Sequence, residues 1–101
     1  MADRLEDLFR ERMVDVYRNA LNQANYKATK FLEMVTMQGG LAAARTLLRT
    51  PYLPDGFAEL WSRGRLDLTM EYLLTQEPWS GLFTPEELRI ARQRLADHSK
   101  G

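Results

Sequence analysis

The sequence predicts an all-α fold, a compact single-domain bundle of about five to six helices. Three observations lead to this class. Apolar residues recur every three or four positions over most of the chain. Residues typical of helix starts and ends separate these periodic segments, and no segment alternates polar and apolar residues as a half-buried strand does. With 101 residues, 45% of them hydrophobic, the chain has the size of one domain, residues 1–101, with one core.

The first helix is expected over residues 3–24, starting at a pair, Asp3 and Glu6, that resembles a capping box. A polar break then leads to a second helix over residues 27–38. Gly39 and Gly40 end it, because glycine accepts backbone angles that other residues avoid. The core side of the first helix is predicted to consist of Leu5, Leu8, Phe9, Met13, Val16, Tyr17, Ala20 and Leu21.

A third helix is predicted over residues 41–49, followed by a proline-containing extended connection. Asp55 is the expected N-cap of a fourth helix over residues 56–63, which Gly64 ends. This fourth segment contributes the expected core anchors Phe57, Leu60 and Trp61.

Asp67 is the expected N-cap of the fifth helix, whose predicted core residues are Leu68, Met70, Tyr72 and Leu73. The last helix has the clearest start in the chain. Thr84, Pro85 and Glu87 have the types and spacing of an N-cap, a first-turn proline and a capping-box glutamate. This helix is predicted to end near Asp97, with Leu88, Ala91 and Leu95 inward and the tail 98–101 disordered.

A possible internal repeat appears at an offset of 26 residues. It indicates an alternative description of the bundle as two similar helix-loop-helix units. The matching positions are Leu47 with Leu73, Leu48 with Leu74, Leu53 with Trp79, and Phe57 with Phe83.

Composition argues against several classes of function. The chain has 14 basic and 14 acidic residues, so no net charge draws it to nucleic acid or to anionic lipid. It has no cysteine, which excludes disulfides, thiolate metal sites and a cysteine nucleophile. No apolar run reaches the roughly 18 residues of a membrane span, and the charged start does not resemble a signal peptide. We therefore expect a cytoplasmic protein without a membrane partner.

Part of the sequence resembles a group of small bacterial helical proteins of unknown function. The resemblance covers residues 17–95 and implies a small helical unit in a bacterial protein, with no activity, cofactor or catalytic residue attached. It rests on Gly39-Gly40-Leu41, Arg45, Leu47-Leu48, Gly56-Phe57, Leu60-Trp61, Gly64-Arg65-Leu66-Asp67-Leu68-Thr69, Glu71, Leu82-Phe83-Thr84 and Glu87.

The polar cluster of Asp67, Thr69 and Glu71 is the strongest candidate for chemistry. Two carboxylates one helical turn apart could hold a cation, but acidic residues also stabilise a helix start, which is the favoured interpretation. The single histidine, His98, lies near the chain end, where a general base would lack a pocket and a partner. The sequence thus predicts a protein that is not an enzyme, with no catalytic residue, metal or cofactor.

The preferred functional hypothesis is a non-catalytic helical domain that binds another protein or a second copy of itself. The expected contact residues are the loop side chains Tyr52, Leu53 and Trp79, which would form an apolar patch if exposed together.

The alternative hypothesis is a small nucleic-acid-binding module that uses a basic face within residues 27–50. This segment has four basic residues and one acidic residue, a local charge of +3, whereas residues 51–77 have a local charge of −3. Tyr26 could stack on a base. The expected nucleic-acid contacts are Lys27, Lys30, Arg45 and Arg49.

Overall fold

The protein is an all-helical bundle, as a computed structural model describes it over residues 4–99. The predicted fold class is confirmed, since this part of the chain contains six α-helices, two 3-10 turns and no strand. The helices are α1 (Arg4–Ala24), α2 (Thr29–Gln38), α3 (Gly40–Arg49), α4 (Asp55–Ser62), α5 (Met70–Leu74) and α6 (Pro85–His98). The 3-10 turns span Leu66–Leu68 and Trp79–Leu82.

The main core forms where α1 packs on α2 and α3, and where α6 packs on α5 and α3. Its fully buried members include Phe9 and Met13 of α1, Val35 of α2 and Leu74 of α5. A smaller cluster joins the end of α1 to α4 and the first 3-10 turn, through Ala20, Leu60 and Leu68. The radius of gyration of 12.6 Å is close to the value of about 13 Å for a compact chain of 100 residues.

The predicted break between α2 and α3 depends on two glycines with different roles. Gly39 has a φ of 88°, a left-handed conformation that favours glycine. Gly40 is buried at the start of α3, where a Cβ atom would lie 3.0 Å from the Cα of Arg10 and 3.0 Å from the ring of Phe9. Gly40 therefore permits the close approach of α3 to α1.

The end of α4 is a Schellman motif centred on Gly64, which has a φ of 71°. The amide of Gly64 donates to the carbonyl of Trp61, and the amide of Arg65 donates to the carbonyl of Leu60. The predicted role of Gly64 as a helix stop is therefore seen in the structure.

The start of α6 is also as predicted. The backbone amide of Glu87 donates to the hydroxyl of Thr84, and the Glu87 carboxylate accepts from the amide of Thr84, which is a complete capping box. Pro85 occupies the first turn, where its missing amide costs no hydrogen bond.

The start of α5 differs from the prediction. Thr69, not Asp67, is the N-cap, and its hydroxyl accepts from the amide of Tyr72 at 3.1 Å. Asp67 lies earlier, in the first 3-10 turn. Because the helix begins later than expected, its inward face changes: Met70 and Leu74 are buried, whereas Tyr72 is exposed.

Three other residues differ from their predicted surroundings. Trp61 is 45% exposed and is not a core anchor, although Phe57 and Leu60 beside it are buried. Leu8 and Leu21 are also exposed, so the buried stripe of α1 is narrower than its apolar pattern.

The last helix extends to His98, one residue beyond its predicted end near Asp97. This residue belongs to α6, its Nδ1 donates to the carbonyl of Arg94 at 2.7 Å, and its ring packs on Trp61 with centroids 4.6 Å apart. Asp3 and residues 100–101, which carried the predicted first cap and half of the predicted tail, lie outside the described residues.

The two-unit description remains a prediction. Burial agrees at all four paired positions. Leu48 and Leu74 are both buried and so are Phe57 and Phe83, whereas Leu47 and Leu73, and Leu53 and Trp79, are half-buried. The helices that precede each loop differ in length, however, because α3 has 10 residues and α5 has 5.

Candidate binding cleft

A cleft of about 580 Å³ opens between α1, α2, α3, α4 and the start of α5. We call it the main cleft. Its volume lies in the range of about 300–1,000 Å³ that ligand pockets usually have. Most of its lining is apolar, as in Val16, Phe31, Met34, Phe57 and Leu60.

Around the main cleft, α4 packs mainly on the first 3-10 turn. Pro54 precedes α4 in an extended conformation, with a φ of −60° and a ψ of 148°. The extended connection from Thr50 to Pro54 then forms one wall of the cleft, with Tyr52 at its edge. The fifth helix contributes Met70 and Glu71 to the lining.

The polar residue of most interest in the lining is Glu71, which is buried. Its Oε2 accepts from Nη1 of Arg94 at 2.9 Å, and the two side chains are only 3% and 10% exposed. Burial raises the pKa of the Glu71 carboxyl, since the charged form loses its hydration, while the Arg94 hydrogen bond opposes that rise.

Arg94 also binds the C-terminal end of α3. Its Nη2 donates to the carbonyls of Leu47, Leu48 and Thr50, at 3.1, 3.3 and 3.3 Å. A cation at this place also matches the negative end of the helix dipole. Glu71 and Arg94 therefore form a buried clamp that joins α3, α5 and α6.

The other polar group in this part of the lining is engaged as well. The Thr69 hydroxyl donates to the carbonyl of Leu66 at 2.7 Å while it accepts from the amide of Tyr72. Over residues 4–99, no buried side-chain nitrogen or oxygen lacks a hydrogen-bond partner. The polar groups inside the main cleft thus hold the fold together.

The rim of the main cleft is charged. Lys27 and Lys30 lie at the start of α2, are exposed, and form no ion pair with any described residue. Asp55, at the start of α4, also lines the cleft. Tyr26 is half-buried at the rim, where burial and the nearby carboxylates of Glu59 and Asp55 raise the pKa of its hydroxyl.

The predicted partner contacts are divided between two places. Tyr52 is 71% exposed and lines both the main cleft and a second, more open cleft of about 530 Å³ beside α6. Leu53 lines the second cleft. Trp79 lines neither, because its ring packs on Phe9 with centroids 5.9 Å apart.

The predicted nucleic-acid contacts are divided too. Lys27 and Lys30 line the main cleft, and Arg49 is exposed on α3. Arg45 is half-buried: its Nε donates to Glu87 at 2.9 Å and its Nη2 to the carbonyl of Leu82 at 3.1 Å. Arg45 thus supports the capping box of α6, and the nucleic-acid hypothesis retains three exposed cations.

The predicted acidic cluster is separated by the structure. The Asp67 carboxylate is exposed and accepts two hydrogen bonds from Arg65, which lower its pKa. Glu71 is buried and paired with Arg94. Within residues 4–99, no three His, Asp or Glu side chains are grouped as metal ligands.

Arg94 is the residue that sequence reasoning missed. It lies three positions after Ala91, on the side of α6 that the apolar periodicity predicts to be buried. A charged residue on such a face needs a buried partner of opposite charge. Glu71 is the buried residue of opposite charge, and it lies between the buried Met70 and Leu74 of α5.

No family model matches the sequence, and no curated protein and no solved structure matches the chain. No helix in the described part of the chain has the length and apolar character to cross a membrane.

Proposed function

We propose that this chain is a non-catalytic protein-interaction domain whose main cleft receives the apolar side chains of one segment of a partner protein. The observation that carries the proposal is the main cleft itself. A chain of 101 residues leaves about 580 Å³ open, lined mainly by apolar side chains and bordered by an exposed tyrosine. Concave apolar surfaces with an aromatic edge are typical places for the anchor residues of a partner.

The hydrogen bonds inside the main cleft support a binding function over a catalytic one. Glu71 and Thr69 are the polar groups of α5 and its cap, and both have partners within the fold. A general acid or base must be free to exchange a proton with a substrate. Neither residue meets that condition.

The form of the partner follows from the secondary structure. Residues 4–99 contain no strand, so they offer no sheet edge to which a partner strand could add. Among the other modes, a helix that places anchor side chains in a cleft fits a mainly apolar cleft between helices. We therefore propose a helical partner segment.

The test is site-specific photo-crosslinking in the cells that produce this protein. A photoreactive phenylalanine analogue replaces Tyr52 at the edge of the main cleft, and, as a matched control, Met37, which is 86% exposed on α2 and lies outside the cleft. We expect a protein that is crosslinked from position 52 and not from position 37.

The crosslinked protein is then purified and its affinity for the domain is measured by calorimetry. Thr46→Trp adds a large side chain to an exposed position of the cleft lining, and Met37→Trp adds the same side chain elsewhere. We expect at least a tenfold loss of affinity for Thr46→Trp alone. Equal affinities of the two variants would contradict the proposed function.

A further inference from the structure

The charges around the main cleft indicate which partner segments it would accept. We infer that the cleft selects an acidic amphipathic helix, whose apolar side chains enter the cleft while its carboxylates contact Lys27 and Lys30. This inference rests on the proposed function and adds the chemistry of the partner. It depends on the position of the rim charges relative to the apolar lining.

The two lysines are suited to receive carboxylates from outside the chain. They lie three residues apart at the start of α2, both are exposed, and neither forms an ion pair within the described residues. Most other cations near a carboxylate are already paired, such as Arg45 with Glu87 and Arg65 with Asp67.

The backbone at the start of α2 also favours a negatively charged partner. The first turn of α2 has no side-chain cap, because Ala28 occupies the N-cap position. The positive end of the helix dipole therefore adds to the charges of Lys27 and Lys30. Glu33, the acidic residue of α2, does not line the cleft.

The acidic residue of the rim gives the partner segment a direction. Asp55 lies at the start of α4, on a different element of the cleft lining from the lysines. A carboxylate next to Asp55 would be repelled, whereas one next to Lys27 or Lys30 would be attracted. An acidic segment should therefore lie with its carboxylates toward α2 and its uncharged or basic side toward α4.

The experiment uses two labelled helical peptides with identical leucine and phenylalanine anchors at helical spacing. One peptide carries glutamate at its polar positions and the other carries lysine. Fluorescence anisotropy gives the affinity of each peptide for the purified domain at low and high salt. We expect the acidic peptide to bind about tenfold more tightly at low salt, since each exposed ion pair contributes a factor of a few.

Charge reversal provides the decisive comparison. In the Lys27→Glu/Lys30→Glu variant we expect the preference to reverse, so that the basic peptide binds more tightly. The control variant, Arg49→Glu/Arg92→Glu, has the same change of net charge at two exposed positions that line neither cleft. It should keep the original preference.

The outcomes separate the inference from the proposed function. If both peptides bind equally and Thr46→Trp abolishes binding, the acidic partner is excluded while the cleft remains a protein-binding site. If Thr46→Trp binds the peptides like the unmodified chain, or if neither peptide binds at concentrations of about 1 mM, both the inference and the proposed function are overturned. An oligothymidine that binds as tightly as the acidic peptide would replace this inference with the nucleic-acid hypothesis.

Discussion

Replacement of Arg94 by methionine tests the buried clamp directly. Methionine keeps much of the side-chain length but removes all donors. Glu71 then stays buried without its ion-pair partner, and the carbonyls of Leu47, Leu48 and Thr50 lose a charged donor. All these groups lie at the junction of α3, α5 and α6, so the loss should affect the unfolding of the whole domain.

The expected cost is large because the pair is shielded from water. The exposed fractions of the two side chains are 10% and 3%, and removal of one partner of such a pair typically costs about 3–5 kcal/mol. Domains of this size are stable by about 5–15 kcal/mol in total. The matched control is Arg89→Met, since Arg89 and Glu86 form an ion pair on the same helix with exposed fractions of 61% and 66%. We expect less than about 1 kcal/mol there.

A double variant separates the charge from the hydrogen bonds. In Glu71→Leu/Arg94→Met no buried carboxylate is left without a partner, so a large part of the lost stability should return. The part that stays lost reports the three carbonyls at the end of α3. A double variant as unstable as Arg94→Met would show that the unpaired Glu71 charge is not the cause.

The assay is urea unfolding followed by circular dichroism and tryptophan fluorescence, at several pH values. Burial raises the native pKa of Glu71 above its unfolded value of about 4.3. A raised native pKa means that the folded state takes up the proton more readily, so stability falls as the pH rises past the unfolded value. Loss of Arg94 strengthens this effect, and Arg94→Met should recover stability between pH 7 and pH 5. A cost below about 1 kcal/mol at pH 7, equal to the control, would refute the clamp.

Three further substitutions test the helix ends and the closest helix contact, each by urea unfolding. Glu87→Gln should cost about 1–3 kcal/mol at pH 7. Burial alone would raise the pKa of Glu87, but the hydrogen bonds of its carboxylate lower this pKa. The cost of Glu87→Gln should therefore disappear as the pH falls through the lowered native pKa. A cost that is unchanged at pH 3 would contradict this expectation. Gly40→Ala should cost about 1–3 kcal/mol, because its Cβ would lie 3.0 Å from α1, whereas Gly56→Ala meets no atom within 4 Å and should be neutral or stabilising. Thr69→Ala should cost about 1 kcal/mol as the loss of an N-cap, and a larger cost for Asp67→Ala would restore the original assignment of that cap.

Helix ends could be predicted from the sequence because their hydrogen bonds join residues that are close in the chain. Thr84 and Glu87 lie three residues apart and cap each other. The Schellman motif at Gly64 likewise uses amides and carbonyls within one turn. Local geometry limits such patterns to few conformations, so residue type and spacing predict these two helix ends.

The start of α5 shows how far local reasoning extends. Both Asp67 and Thr69 are good N-cap residues, and the spacing of apolar residues allows either. Packing settles the choice, because a start at Thr69 buries Met70 and Leu74 together against α6. The alternative could not be excluded without the position of α6.

The clamp and the main cleft depend on contacts between distant parts of the chain. Glu71 and Arg94 are 23 residues apart, and Arg45 and Glu87 are 42 apart. Periodicity shows which face of a helix is buried, but it does not show which other helix covers that face.

Local sequence therefore decides helix ends such as the start of α6 and the end of α4, since the interactions involved reach no further than one turn, whereas packing decides the start of α5. The packing of five elements decides that a space remains between α2 and α4, and that Lys27, Lys30 and Asp55 surround it. An opening between helices is a property of their relative positions, which no single segment of the chain contains.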